Sequence, residues 1–231
     1  MNTKNTTIDN QPLDFSLNVL KFLTPEEQVQ IDKVQYSVSF NKGETIFKQG
    51  APMPYVIVLK SGLAKVFLED GKNRNIVLRI TKPGEIIGGP GFFTDYKHHF
   101  SVTAIQNCSA HYIDVEAFKK LLLNNARFGL EMIAYLNNAH VKLYEKLKIL
   151  THKHMNGRLA STLLYLSNNI YNSEKFDTTL SRQDIADMSS MTKESAIRIL
   201  KEFKTSGIIS CQNNSFEIHD KYGLVNILEN G

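Results

Sequence analysis

Residues 181–203, SRQDIADMSSMTKESAIRILKEF, constrain the fold of this chain more than any other stretch, because they predict two short helices joined by a tight turn. Ser181 precedes a helical pattern and Asp184 lies three residues on, the spacing of a capping box. Ile185, Ala186 and Met188 give the first helix its apolar side, Ser189-Ser190-Met191 breaks it, and Thr192 caps the second. At about 100° per residue, Ala196, Ile199, Leu200 and Phe203 share one side of the second helix, while Glu194, Arg198 and Lys201 share the other. With small Ala186 where the helices would cross, this is a helix-turn-helix pattern, a unit that lays its second helix in the DNA major groove. Ser190 stands where such a turn usually has glycine, which takes positive φ freely. The same spacing also allows a plain amphipathic hairpin, with Glu194 and Arg198 paired for about 0.3–0.5 kcal/mol.

At 231 residues and 42% hydrophobic, the chain has room for two packed units. No apolar run approaches the length of a membrane span, and residues 1–10 lack a signal-peptide core, so a cytoplasmic location without membrane contact is expected. Two cysteines, Cys108 and Cys211, fit a reducing compartment and exclude a four-cysteine iron–sulfur or zinc site within one chain. Net charge is +4, but 9 basic and 9 acidic residues follow Thr151, against 18 and 14 up to it. The segment holding the motif therefore lacks the basic bias expected of a DNA-binding unit, and the reading rests on where its charges point.

Residues 24–27, Thr-Pro-Glu-Glu, predict a helix start, with Leu20, Phe22 and Leu23 buried before it. From residue 36 to 113 the period falls to two, with alternating runs at 36–40, 55–59, 64–68, 76–80 and 101–105 separated by glycines. Residues 69–72 predict a hairpin turn around Asp70-Gly71. Many short strands argue an antiparallel barrel or roll. A short helix is predicted at 115–123 and a long one at about 126–151. The long helix carries Phe128, Met132, Tyr135, Leu136, Ala139, Leu143, Leu147 and Leu150 in one stripe, which suits either packing on the roll or a two-fold dimer seam. The domain boundary falls after residue 151: a roll-plus-helix unit over 1–151, then 152–231. The second unit has a helix at 156–169, the helix-turn-helix, and strands at 208–211 and 215–219 that form a wing. A short helix near 222–228 closes the chain. The fold class is α+β: an N-terminal antiparallel β-roll (double-stranded β-helix), a long dimerisation helix and a C-terminal winged helix-turn-helix.

These elements, in this order, resemble the Crp/Fnr family of bacterial transcription regulators over roughly residues 20–220. The resemblance is carried by Gly43 with Glu44, Gly62, the turn Lys82-Pro83-Gly84-Glu85-Ile86-Ile87-Gly88, the run Asn156-Gly157-Arg158-Leu159-Ala160, the segment Ser181-Arg182-Gln183-Asp184-Ile185-Ala186, and Lys193-Glu194-Ser195-Ala196-Ile197-Arg198-Ile199-Leu200. It implies a homodimer on a near-palindromic double-stranded operator, with RNA polymerase as a further partner. It makes Glu194 and Arg198 base readers, and the chemistry agrees: arginine bonds guanine O6 and N7 bidentately, and glutamate accepts from cytosine N4. Lys193 is placed to reach a base or a phosphate. Ile197, at the edge of the groove-facing side, is either incidental surface or a contact to a thymine methyl. Ser181, Arg182, Gln183, Thr192, Ser195 and Lys201 are expected on the DNA backbone, where contacts set register.

The cyclic-nucleotide members of the family hold their ligand through a Glu after Gly and an Arg-Ser pair. Here Gly88 is followed by Gly89 where Glu is expected, and Phe100 stands in place of Arg beside Ser101. Leu143 and Tyr144 occupy the long-helix positions that contact the base. A cyclic phosphate would lack its bidentate cation, so cAMP is not expected and no cofactor is. The pocket of Gly88, Gly89, Phe100, Ser101, Leu143 and Tyr144 is expected to be apolar, taking another small molecule or filled by its own side chains. A haem- or metal-bearing gas or redox sensor of the same family stays open, with His98, His99, His111, His140, His152 and His154 as ligands to weigh and His140 as the leading one. The alternative class is a cupin-like metalloenzyme. It needs a His-x-His with a following Glu, which the roll lacks, and no nucleophile elbow or phosphate loop occurs, so no catalytic or metal residues are assigned.

Overall fold

The computed structural model describes residues 22–71 and 75–231; Leu20 and Lys72 lie outside them. Helix α1 (Pro25–Val34) starts on a full capping box, with Thr24 and Glu27 bonding each other's backbone, as the Thr-Pro-Glu-Glu run predicts. Eight strands follow: β1 (Gln35–Phe40), β2 (Thr45–Phe47), β3 (Tyr55–Ser61), β4 (Ala64–Leu68), β5 (Ile76–Thr81), β6 (Ile86–Ile87), β7 (Ser101–Ala104) and β8 (Cys108–Asp114). They form two antiparallel four-stranded sheets, ordered β1-β8-β3-β6 and β2-β7-β4-β5. The crossings between sheets make the β-roll. Between β3 and β4 the chain turns at Gly62, φ +77°, where a Cβ would sit 2.4 Å from the Asn107 carbonyl. Only glycine fits there.

Two cores fill the roll. One gathers Phe47, Ile57, Leu59, Val66, Ile87 and Phe100 between the sheets. The other joins Val56, Val58, Ile86 and Ile113 to Phe118 of α2 (Val115–Asn124) and to Phe128, Met132 and Tyr135 of α3 (Ala126–His152). α3 ends at His152, and α4 (Met155–Tyr165) begins after Lys153 and His154. The helix predicted to reach residue 169 gives way earlier, to a wider π-turn at Leu166–Tyr171 that closes on left-handed Asn172. This turn leaves the Asn169 carbonyl to accept from Lys82 of the roll at 2.9 Å.

The rest is β9 (Lys175–Asp177), α5 (Arg182–Met188), α6 (Lys193–Thr205), β10 (Ile209–Gln212), β11 (Ser215–Ile218) and α7 (Lys221–Asn230). The wing is a three-stranded sheet, β10-β11-β9; its edge strand β9, three residues long, is too short for periodicity to announce. A third core holds Leu163, Leu166, Ile185, Met188, Ile199, Leu200 and Phe203, and Leu63, Phe67, Val77, Ile80 and Ile105 of the roll join it. No helix among the described residues is long and apolar enough to cross a membrane.

Candidate nucleic-acid interface

The α5–α6 unit is built from its caps inward. Ser181 Oγ accepts from the Asp184 amide at 3.1 Å, and Asp184 Oδ2 accepts from the Ser181 amide at 2.8 Å. Ala186 is fully buried at the crossing of the two helices. The turn places Ser190 at φ +48°, so the serine does adopt the glycine-like conformation. Three bonds hold the turn: Arg158 Nη1 donates to the Ser190 carbonyl at 3.0 Å, the Thr162 and Ser189 hydroxyls meet at 2.8 Å, and the Met191 amide donates to the Ala186 carbonyl at 3.1 Å. They offset a strain of about 1 kcal/mol for a non-glycine residue there. Arg158 and Thr162, both from α4, carry no periodicity signal that points to this role.

Thr192 caps α6 by accepting from the Ser195 amide at 3.2 Å. Ala196, Ile199, Leu200 and Phe203 are buried under the helix. Lys193, Glu194, Arg198 and Lys201 are exposed, and Ile197 is 46% exposed beside them. The Glu194–Arg198 pair that the spacing allows is absent. Arg198 Nη1 instead meets Glu202 Oε1 at 2.6 Å, one turn further on, and Glu194 has no ion-pair partner among the described residues. A flexible, exposed pair of this kind is worth well under about 1 kcal/mol, so it does little to hold Arg198 in place.

The residues expected on the DNA backbone divide. Ser181, Gln183, Thr192 and Lys201 are exposed and Ser195 is half-buried near them. Gln183 is tied to Asp187 at 2.7 Å. Arg182 turns inward: its guanidinium stacks over the Phe216 ring at 4.7 Å and donates to the Asn213 carbonyl, fastening α5 to the wing turn.

In the roll, Gly88, Gly89, Phe100 and Leu143 line an open cleft of about 1990 Å³ between the roll, α3 and α4. Ser101 does not. Neighbours on a strand point to opposite faces. The Ser101 hydroxyl donates to Glu69 and accepts from the Gln49 amide at 2.9 Å. Tyr144 also lies off the cleft, 66% exposed on α3. Phe100 packs at 5.9 Å against Phe47, which stacks on His98 at 3.6 Å, so part of the roll interior is filled by its own rings. Arg79 faces the cleft but is held by Glu85 at 2.5 Å and by the Ile86 carbonyl at 3.1 Å. Burial pushes the Glu85 carboxyl up, and Arg79 offsets this only in part. Among the cleft-lining residues, Arg79 is thus paired with Glu85, while the Ser101 hydroxyl is engaged by Glu69 and Gln49.

The long-helix stripe needs correction. Phe128, Met132 and Tyr135 are buried against the roll of their own chain, and Leu136 packs half-buried on the same core. Ala139 and Leu143 border the cleft, Leu150 is half-buried, and Leu143 and Leu147 stay exposed, at 44% and 57%. The roll core takes the N-terminal half of this stripe, Phe128 to Leu136. The exposed apolar residues of α3 include Leu143 and Leu147 of that stripe together with Leu130, Ile133, Val141 and Tyr144 beside it.

His98 is buried, and desolvation lowers it to about 4. His99 pairs with Asp95 at 3.1 Å, His111 meets Ser37 at 3.1 Å, and His140 is exposed on α3. No group of three His, Cys, Asp or Glu residues among the described residues is placed to hold a metal ion. Burial raises the Cys108 thiol, which makes it a poor nucleophile.

Known proteins match along both halves of the chain. The model for the cyclic nucleotide-binding domain matches residues 37–125, and that for the Crp-like helix-turn-helix domain matches residues 157–227. The anaerobic regulatory protein of Bacillus subtilis is 24% identical over 186 residues, 78% of each chain. The transcriptional activator protein Anr of Pseudomonas aeruginosa is 23% identical over 207 residues, 87% of this chain and 84% of its own. Among solved structures, FixK2 from Bradyrhizobium japonicum superposes with a TM-score of 0.75 at 20% identity, covering 84% of this chain and 97% of its own. A β-roll, a long helix and a capped helix-turn-helix with an open recognition side, matched in this order by both domain models, place this chain in the Crp/Fnr family of transcription regulators.

Proposed function

We propose that the chain is a homodimeric, sequence-specific regulator that reads a near-palindromic operator through α6, with Glu194 and Arg198 on base edges and Lys193 and Ile197 beside them. The observation that carries this reading is the division of α6: four apolar residues buried beneath, and an acid, an arginine and two lysines exposed above. Ser181, Gln183, Thr192, Ser195 and Lys201 contact phosphates. Dimerisation uses the exposed side of α3, where Leu130 is 68% and Ile133 57% exposed in one chain. The units meet near residue 152. An effector or redox signal at the cleft shifts α3, and RNA polymerase contact follows from family membership. The effector is not cAMP, since Glu85 occupies Arg79 and Ser101 faces away.

Selection of bound sites from a random DNA pool tests this. It should return a palindrome with a G·C pair in each half-site, the half-sites about one helical turn apart. Recovery of unrelated sequences, with and without cell extract, would sink the reading.

A further inference from the structure

Helix α5 underlies the recognition helix, and two lysines from the other part of the chain hold it at its two ends. At its start, Lys65 of β4 pairs with Asp184. Burial raises the Asp184 carboxyl, but bonds from Lys65 and Ser181 outweigh it and hold it below the usual carboxylate range. At its end, Lys146 of α3 donates to the Met188 carbonyl, one of the acceptors that a helix C-terminus leaves without an internal partner. Desolvation lowers the Lys146 ammonium to about 8, and the side chain lies half-buried at the wall of the cleft. Between the two points, Ile185 and Met188 share an apolar core with Leu63, Phe67, Val77 and Ile80 of the roll. The groove-facing side of α6 stays open in this arrangement.

We infer that Lys65 and Lys146 are positioning residues for DNA recognition: together they fix the direction of α5, and through it α6, relative to the long helix α3. A dimer must present two recognition helices at one spacing, so a fixed angle between α3 and α6 matters for a palindrome and not for a single half-site. The inference rests on the dimeric reading above. It differs from an ordinary packing role because Lys65 and Asp184, 119 residues apart, connect the matched cyclic nucleotide-binding and helix-turn-helix segments, while Lys146 ties the long helix between those segments to the same α5.

The test uses the full chain with Lys65→Met, Lys146→Met and the double substitution. Affinity is measured for a duplex carrying the selected palindrome and for one carrying a single half-site. The double variant should lose about tenfold or more on the palindrome while its half-site affinity stays within about twofold of the unaltered protein. Lys65→Arg, which keeps the cation, should retain the palindrome preference. An unchanged or raised palindrome affinity overturns the inference, and so does equal weakening on both duplexes, which would mean that the lysines only support α5. If the unaltered protein does not prefer the palindrome, the dimeric reading fails instead. A readout without DNA then decides the clamp: trypsin should cut after Lys153, between α3 and α4, severalfold faster in the double variant, and an unchanged rate overturns it.

Discussion

The α6 surface and the roll cassette treat their polar groups in opposite ways. On α6, Glu194 has no ionic partner among the described residues and Arg198 has an exposed one, while the face beneath is buried. In the cassette region, Ser101 is bonded to Glu69 and Gln49, Arg79 to Glu85, and Phe47, His98 and Phe100 pack on one another. Exposed polar groups on a packed scaffold stay free to meet an outside partner, whereas polar groups that bond each other must break those bonds first. The same comparison separates the two sides of α3, one spent on the roll and the other left bare.

The largest effect that sharpens this contrast lies on α3. Phe128→Ala removes a ring with 0% exposure and should destabilise the fold by about 3–5 kcal/mol in denaturant unfolding. Ile133→Ala, on the bare side, should leave a dilute monomer's stability almost unchanged and instead weaken self-association in sedimentation. Equal effects of the two would erase the distinction between the faces.

Next comes base reading. Arg198→Ala should cost about 1–3 kcal/mol of discrimination at the G·C pair and relax the sequence preference there. Lys201→Ala should weaken binding to all sequences alike and lower the salt slope by about one.

The buried imidazole gives a pH test of the filled roll. His98 is neutral when folded, with its value lowered to about 4, while an unfolded histidine titrates near 6.5. Between these values the unfolded chain binds the extra proton, so stability should fall as pH drops from about 6.5 towards 4, by on the order of 3 kcal/mol. His98→Phe should flatten that part of the profile, and an unaltered slope would mean that other groups control it.

The smallest effect concerns the turn. Ser190→Gly relieves φ +48° and should change stability by no more than about 1 kcal/mol, in the stabilising direction, with DNA affinity retained.

The helix-turn-helix was legible because caps and a 3.6-residue period are local properties: Ser181, Asp184 and Thr192 name the helix starts, and Ala196 to Phe203 name the buried face. The long helix was legible as a helix, but its faces were not. α3 has apolar residues on two sides, and periodicity does not say which side meets the roll. The spacing of Glu194 and Arg198 suggested a pair, but Glu202 lies at the same distance on the other side and won. Strand β6, two residues long, carries no usable alternation. Nothing local marks the roles of Lys65, Lys146 and Arg158, because their partners, Asp184, the Met188 carbonyl and the Ser190 carbonyl, come together only in the folded chain.

The central claim is that the open side of α6 reads base pairs. The most direct test titrates the purified chain against its selected duplex and against the same duplex with the G·C pair replaced in both half-sites. The account predicts at least a tenfold preference for the first duplex, and loss of that preference in Arg198→Ala. Equal affinity of the unaltered protein for both duplexes would contradict it.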